Sequence, residues 1–312
     1  MRSDTQHTSL IEATIVIPTK NGEEDIGTCL EAIYSQRETG PFEVIVIDSG
    51  SMDNTLEIVR RYPVRLEQIP PETFHHARTR NYAAGLATGE FLVFVSQDAI
   101  PASDQWLAAM IANLSDPSVG AAYGRQLPKQ GSTLERQDTL GAVYGEERLV
   151  KDPSRGQEHG FRYYHFSSVN AAIRREVWRV TRFPEDLKIF EDLGIAKRIL
   201  DGGWKIVYEP RAAVYHSHNH TTNGLFKRYF DAGVIWKQLG IWNEQTRVSM
   251  LRDIVRLLRR KLTRFDGNGG SRNVAMSMRQ DLTKAAGLFL GLHERYIPLT
   301  LKRQLSGIRL FE

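Results

Sequence analysis

Apolar positions along the chain keep two rhythms. Short β-branched runs at 13–17, 42–47 and 91–95 alternate too little to face water on one side, and they predict strands buried on both faces. Between the first two runs, Ile26, Leu30 and Ile33 recur at helical spacing behind Glu23, Glu24 and Asp25, acids suited to the positive end of a helix. Leu56 and Val59 mark a second helix within 53–61. Strand, helix and strand in this order predict an α/β protein built on a mainly parallel sheet. The longest apolar run, 91–101, is read as one interior strand that stops at Asp98 ahead of Pro101. Parallel sheets place ligands outside the carboxyl ends of their strands, so Asp98 is the first candidate for chemistry.

The middle of the chain continues the alternation. A brief strand at 64–68 precedes Pro70-Pro71, which forces a loop, and the small residues Ala77, Ala83, Ala84 and Ala87 predict a closely packed helix. Trp106, Met110 and Ile111 define the apolar face of a helix over 104–113, and 119–123 and 166–173 read as strands. The stretch 125–160 is polar and charged, with a helix over 134–149. Phe190-Glu191-Asp192 opens a helix carried by Leu193, Ala196, Ile199 and Leu200 and stopped by Gly202-Gly203. Strands at 205–208 and 212–215, interrupted by Pro210, lead into His216-Ser217-His218-Asn219-His220. Beyond residue 223 the pattern turns helical and basic. Over 247–264 seven Arg or Lys residues face one acid, Asp253, and interleave with leucines, which predicts a basic amphipathic helix. The expected division is a nucleotide-binding and catalytic domain at 1–222 and a helical region at 223–312. No internal repeat is found.

Composition narrows the class. With 41% hydrophobic and 25% charged residues and a mean hydropathy of −0.37, the 312-residue chain reads as an ordinary globular protein. The polar first dozen residues lack the apolar centre of a secretory signal, and the single Cys29 excludes an intrachain disulfide. The expectation is a cytoplasmic protein. A net charge of +4 and a pI near 9.1 suit a phosphorylated ligand, an anionic membrane surface or nucleic acid. Nucleic acid is disfavoured, because the positive charge lies on the C-terminal helical pattern and no aromatic-basic sheet motif accompanies it. A nicotinamide enzyme is disfavoured by the lack of G-x-G-x-x-G after the first strand.

Three acids fall at element ends: Asp48 and Asp98 after strands, Asp192 at a helix start. Singly, each also reads as a turn residue or helix cap. Together with their surroundings they resemble family 2 glycosyltransferases of the GT-A fold. The resemblance rests on 13–22, on Phe42 through Ser51 with Asp53, and on Arg80-Asn81 followed by 87–94. The strings 74–81, 97–101, Phe190-Glu191-Asp192, Gly203-Trp204 and 215–219 are similar to a bacterial rhamnosyltransferase-like branch, and the likeness spans about 13–232.

That resemblance implies a role for each matching residue. Pro18, Thr19 and Asn21 would edge the nucleotide pocket, with Ser49, Gln97 and Asp98 beside them. Asp48 would hydrogen-bond the base. Arg80, an always-charged forked donor, would sit near the base or the diphosphate, although a surface helix arginine is the plainer reading. Family members hold a divalent metal, Mg²⁺ or Mn²⁺, on a DxD triad. Here Ser96 occupies the first position and Asp98 the second, and His216 is the expected additional ligand. Asp192 would accept the acceptor's proton in an inverting transfer, with Glu191 orienting it or binding acceptor. Glu185-Asp186 follows Pro184 in a loop and is set aside. His76, Trp204 and His218 are candidate donor or acceptor contacts, and a packed structural role for His76 and a loop role for His218 stay open. His-x-His-x-His also mimics a zinc site.

The implied activity moves L-rhamnose from dTDP-L-rhamnose to a saccharide or lipid-linked saccharide of a bacterial surface polysaccharide. UDP-galactofuranose or a UDP-hexose is the alternative donor, and a catalytically silent fold or a basic nucleic-acid-binding protein is the alternative outside that chemistry. The 247–264 helix is expected either on an anionic membrane, at the inner face of the cytoplasmic membrane, or packed on the core or a second subunit of a homo-oligomer.

Overall fold

A computed structural model describes residues 11–155, 163–218, 221–243, 271–308 and 310–311 of the chain. Its centre is one nine-stranded sheet. The β-branched runs become β1 (Ala13–Thr19), β2 (Phe42–Asp48) and β4 (Phe91–Val95), and β3 is the short Arg65–Gln68. These four lie parallel in the order β3-β2-β1-β4, as the crossover helices α1 (Ile26–Tyr34), α2 (Thr55–Val59) and α3 (His76–Leu86) require. The predicted parallel sheet is this half of the molecule.

The other half is mixed. β8 (Asn170–Arg174) pairs antiparallel with β4 on one side and with β6 (Val119–Leu127) on the other, and β9 (Lys205–Tyr215) then pairs parallel with β6. Two successive reversals restore direction, so the carboxyl end of β9 reaches the same edge as those of β1, β2 and β4. The 91–101 run does not stay one strand. It breaks at 96–99, and β5 (Ile100–Pro101) pairs antiparallel with Tyr215 and Val214 at the end of β9. A further short strand, β7 (Leu149–Lys151), borders β9, where the sequence predicted the end of a helix.

Pro210 does not end the strand. Between the pairs Gly124↔Glu209 and Gln126↔Val214 the register slips, and β9 carries its extra residues, Pro210 among them, in a bulge that needs no ladder donor there. Asn170 fastens this bulge: its Nδ2 donates to the Ala212 carbonyl at 2.8 Å, and its Oδ1 accepts from Trp106 Nε1 at 2.9 Å. Gly124 faces it so closely that a Cβ would lie 1.8 Å from the Ala212 oxygen.

Helices cover both faces. Ala13, Ile15, Ile17, Val44, Val46 and Val93 point toward α1, α2 and α4 (Trp106–Ala112). Their alternates Val16, Ile45, Ile47, Leu92 and Phe94 point toward α3, α6 (Arg175–Thr181) and α7 (Glu191–Asp201). Fully buried aliphatics of this kind each contribute roughly 1.5–3 kcal/mol. The second cluster continues without interruption into α8 (Thr222–Gln238) and α9 (Ser271–Leu292) through Ala232, Trp236, Leu288 and Leu292. These C-terminal helices thus share the core of the preceding domain. α5 (Leu134–Val143) lies in the connection after β6, and α10 (Leu299–Leu305) follows α9. The expected basic helix at 247–264 lies outside the described residues. Among the described residues no helix is long and apolar enough to cross a membrane.

Candidate active site

The carboxyl edge of the parallel half is laced together by its own polar side chains. Gln97, two residues past β4, accepts from the Thr19 hydroxyl and from Lys20 N (2.9 Å), and its amide donates to the Lys20 carbonyl (3.2 Å). Ser49 donates through backbone and hydroxyl to the Thr19 carbonyl. Asn21, at φ +47°, accepts from Met52 N, and Pro18 lies beside it at intermediate exposure. Asp48 is fully buried and accepts from Gly50 N, Ser51 N and the Ser51 hydroxyl, so its carboxylate shapes the turn after β2. A cleft of about 410 Å³ opens against this edge, lined by Asn21, Gly22, Glu23, Glu24, Asp25, Met52, Asp53 and Gln97. Its acid-rich wall suits the hydroxyl and N–H groups of a nucleoside and repels phosphate.

One residue beyond Gln97 the chemistry changes. Asp98, His216 and His218 converge, with one ligand atom from each lying within 4.8 Å of the others. Asp98 Oδ2 stands 3.5 Å from His216 Nε2 and 3.1 Å from His218 Nε2. Burial works to raise the Asp98 carboxyl, but the His218 hydrogen bond and the nearby imidazoles outweigh it and hold it at about 2. Burial keeps His216 neutral, lowering it to about 4. Its Nδ1 meets Gln126 Oε1 at 3.0 Å, and the Gln126 amide nitrogen is committed to Tyr144 Oη (2.7 Å) and Ser167 Oγ (2.9 Å). The proton therefore resides on Nδ1, and Nε2 presents a lone pair to Asp98. Two acceptors facing one another at this distance, with His218 beside them, could hold a cation. One carboxylate oxygen and two imidazole nitrogens suit a borderline divalent ion such as Mn²⁺ better than Mg²⁺, which prefers oxygen.

The acid pair occupies the first turn of α7. Phe190, immediately before it, adopts φ +61°, a left-handed conformation that is uncommon for an aromatic residue. Glu191 is buried against Arg80, 3.0 Å away, with side-chain exposures of 7% and 8%. Arg80 also donates to the His76 carbonyl. Both contacts are made by Nη1, and the Arg80 Nε is buried without a hydrogen-bond partner among the described residues. Asp192 accepts from Leu193 N at 2.8 Å. Desolvation foremost, and the charge of Glu191 next, push its carboxyl up to about 7, against the opposing effect of the Leu193 hydrogen bond and the charges of Arg80 and Arg228. His76 stands at the first turn of α3, edge-on to Phe74, within electrostatic reach of Glu191, Arg80 and Arg228.

The residues expected from sequence divide accordingly. Asp98, His216, Gln97, Thr19, Ser49 and Asn21 meet along one edge, Asp192 and Glu191 share a helix start, and Trp204 stands apart. It precedes β9, at the opposite end from His216 and on the order of 30 Å away for a strand of that length, packed against Gly120 and Gly202. His218, expected at donor or acceptor, lies against Asp98 as well. Gln126 and Arg228 were not singled out in the sequence. Gln126 sits in a polar, weakly periodic stretch, and Arg228 in the helical region expected to follow the catalytic domain.

Comparison with known proteins gives a consistent picture. The profile of glycosyl transferase family 2 matches residues 14–181. The O-antigen chain rhamnosyltransferase WbaN of Salmonella anatum is 34% identical over 223 residues, 71% of each chain. RfbN of Salmonella typhimurium, also an O-antigen chain rhamnosyltransferase, is 33% identical over 227 residues, 72% of each. Among solved structures, the mannosyltransferase PcManGT of Pyrobaculum calidifontis, in complex with GDP-Man and Mn²⁺, superposes with a TM-score of 0.55 at 22% identity, over 96% of this chain and 77% of that one. At that identity the likeness is one of GT-A-like fold.

Proposed function

The chain belongs to glycosyl transferase family 2, and on that premise we propose that it transfers L-rhamnose from dTDP-L-rhamnose, with inversion, to a saccharide or lipid-linked saccharide of a bacterial surface polysaccharide. The observation that carries the chemistry is Asp192, a carboxyl raised toward neutrality at a helix start beside the carboxyl edge. In a single displacement the acceptor oxygen bonds to the anomeric carbon while the bond from that carbon to the donor diphosphate breaks. Asp192 takes the hydroxyl proton. A base with pKa near the working pH combines an ionised ground state with useful proton affinity. The Glu191 charge helps to raise that pKa, and Arg80, paired with Glu191, works against it.

Asp98, His216 and His218 would hold a divalent cation, which supplies charge neutralisation for the departing diphosphate. Thr19, Asn21, Ser49 and Gln97 frame the nucleoside, and Asp48 shapes the turn that borders it. The names of the two Salmonella relatives support rhamnose as the sugar. The segment 247–264 is assigned to peripheral contact with an anionic membrane, where lipid-linked acceptors reside.

A panel of nucleotide sugars tests the reading, with consumption of each donor measured with Mn²⁺, Mg²⁺ or chelator. Consumption of dTDP-L-rhamnose with Mn²⁺ is expected, and preferential use of UDP-galactofuranose or a UDP-hexose would replace the donor while keeping the mechanism. If no donor is turned over, the proposal fails.

A further inference from the structure

Two arginines near the candidate base lack the partners that arginines at such places normally have. Arg136 lies in the first turn of α5, behind the N-cap Thr133, where the helix already presents positive charge. Its Nε is buried without a hydrogen-bond partner, and among the described residues no acid pairs with its guanidinium. Arg228, on α8, lies with its guanidinium 5.5 Å from the centre of the Phe190 ring, the residue that opens the acid pair, and it too has no acid partner among the described residues. The two guanidiniums are close enough to repel one another, Arg228 acts on Asp192 and His76, and Arg136 acts on His216. Like charges drawn together with an orphaned buried donor cost stability unless an anion joins them.

From this juxtaposition we propose that Arg136 and Arg228 form a second anion seat, on the acceptor side of Asp192, that takes a phosphate or diphosphate ester carried by the acceptor. The inference rests on the transferase reading above. The elements that carry the two arginines set this seat apart from the nucleoside edge. Donor-binding loops gather on the edge of the parallel half around Gln97 and Asp98, whereas these arginines come from α5 and α8, outside that half. The donor diphosphate has its own positive partner in the ion that Asp98 and the two histidines would hold. Forked, always-charged guanidiniums suit phosphate oxygens, and a cation-π contact with Phe190 leaves Arg228's N–H edges available. A lipid-carrier diphosphate and a phosphate on the saccharide present the same chemistry here.

Calorimetric titration of the full chain tests the seat, with the nucleotide site first saturated with dTDP. The probes are farnesyl diphosphate and inorganic pyrophosphate. Wild type is expected to bind at least one of them, and Arg136→Leu and Arg228→Leu to weaken it tenfold or more, with dTDP affinity unchanged. Tighter binding of farnesyl diphosphate than pyrophosphate assigns the seat to a lipid-linked acceptor, and equal binding assigns it to phosphate chemistry alone. Arg136→Leu should melt at or above the wild-type temperature without ligand, because an orphaned buried donor is removed, and should lose the stabilisation that the probe gives wild type. Failure of the probe to bind, unaltered probe affinity in both variants, or an equal loss of dTDP affinity overturns the proposal. If wild type binds neither dTDP nor UDP, it is the donor reading that fails.

Discussion

His216 Nδ1 lies 3.0 Å from Oε1 of Gln126, and that contact decides which face of the imidazole is basic. Gln126 is itself fixed by Tyr144 and Ser167, so the orientation of a histidine at the end of β9 is set from β6. Gln126→Leu is expected to weaken Mn²⁺ binding roughly 10–100-fold, as loss of an outer hydrogen bond to a liganding histidine does. Gln126→Glu, which preserves the acceptor, should retain affinity. Mn²⁺ titration followed by electron paramagnetic resonance reads both, and equal affinity in Gln126→Leu would refute the role.

Asp192→Asn should lower turnover by about 10²–10⁴-fold while leaving nucleotide affinity intact. The rate of wild type should rise with pH through an apparent pKa near 7, and the residual rate of the variant should lack that limb.

The same substitution should stabilise the protein. The folded carboxyl titrates at about 7 against 3.8 for the reference acid. The fold therefore favours the neutral form, and stability is lost as pH rises from about 4 to about 7, with no further loss above. Each pKa unit corresponds to about 1.4 kcal/mol, discounted here for the opening to solvent. Asp192→Asn should melt several degrees higher than wild type at pH 8 and equally at pH 4. A variant less stable at pH 8 would show that the carboxylate is well solvated in the fold.

Breaking the buried Arg80–Glu191 pair from one side leaves a desolvated charge. Arg80→Met or Glu191→Leu alone should cost about 3–5 kcal/mol in urea unfolding, and the double variant less than either. A double variant as unstable as the sum would mean that the two act independently.

Gly124→Ala places a methyl against the Ala212 carbonyl at the bulge that accommodates Pro210. The cost should be about 1–3 kcal/mol or more, and Mn²⁺ affinity should fall with it, since the strand beyond the bulge delivers His216. Wild-type affinity in a destabilised variant would separate the bulge from the site.

The parallel half was legible in the residues because β1, β2 and β4 are apolar runs followed closely by an acid or a proline and its helices alternate with them, whereas β3 is short and largely polar. Asp98 and Asp192 stand out as candidates by their places at element ends, and His216 only through the family resemblance. What escaped was non-local. Arg175–Thr181 forms α6 although Val177, Val180 and Thr181 are β-branched, because Val177 and Trp178 bury against the sheet's helical face. Nothing within 166–173 announces that β8 runs antiparallel, yet that reversal brings β9's end to Asp98. His218's position against Asp98 follows from the pairing of Tyr215 with Ile100, a contact no periodicity reports. Arg228 lies where the residue pattern turns helical and basic, and only the shared core of α8 sets it beside Phe190.

The cation seat has a temporal corollary. Asp98 leaves the ribosome long before His216 and His218, and the strands between them must pair before the three can meet. The three side chains that could hold a cation therefore come together only once β9 has paired with β6 and β5.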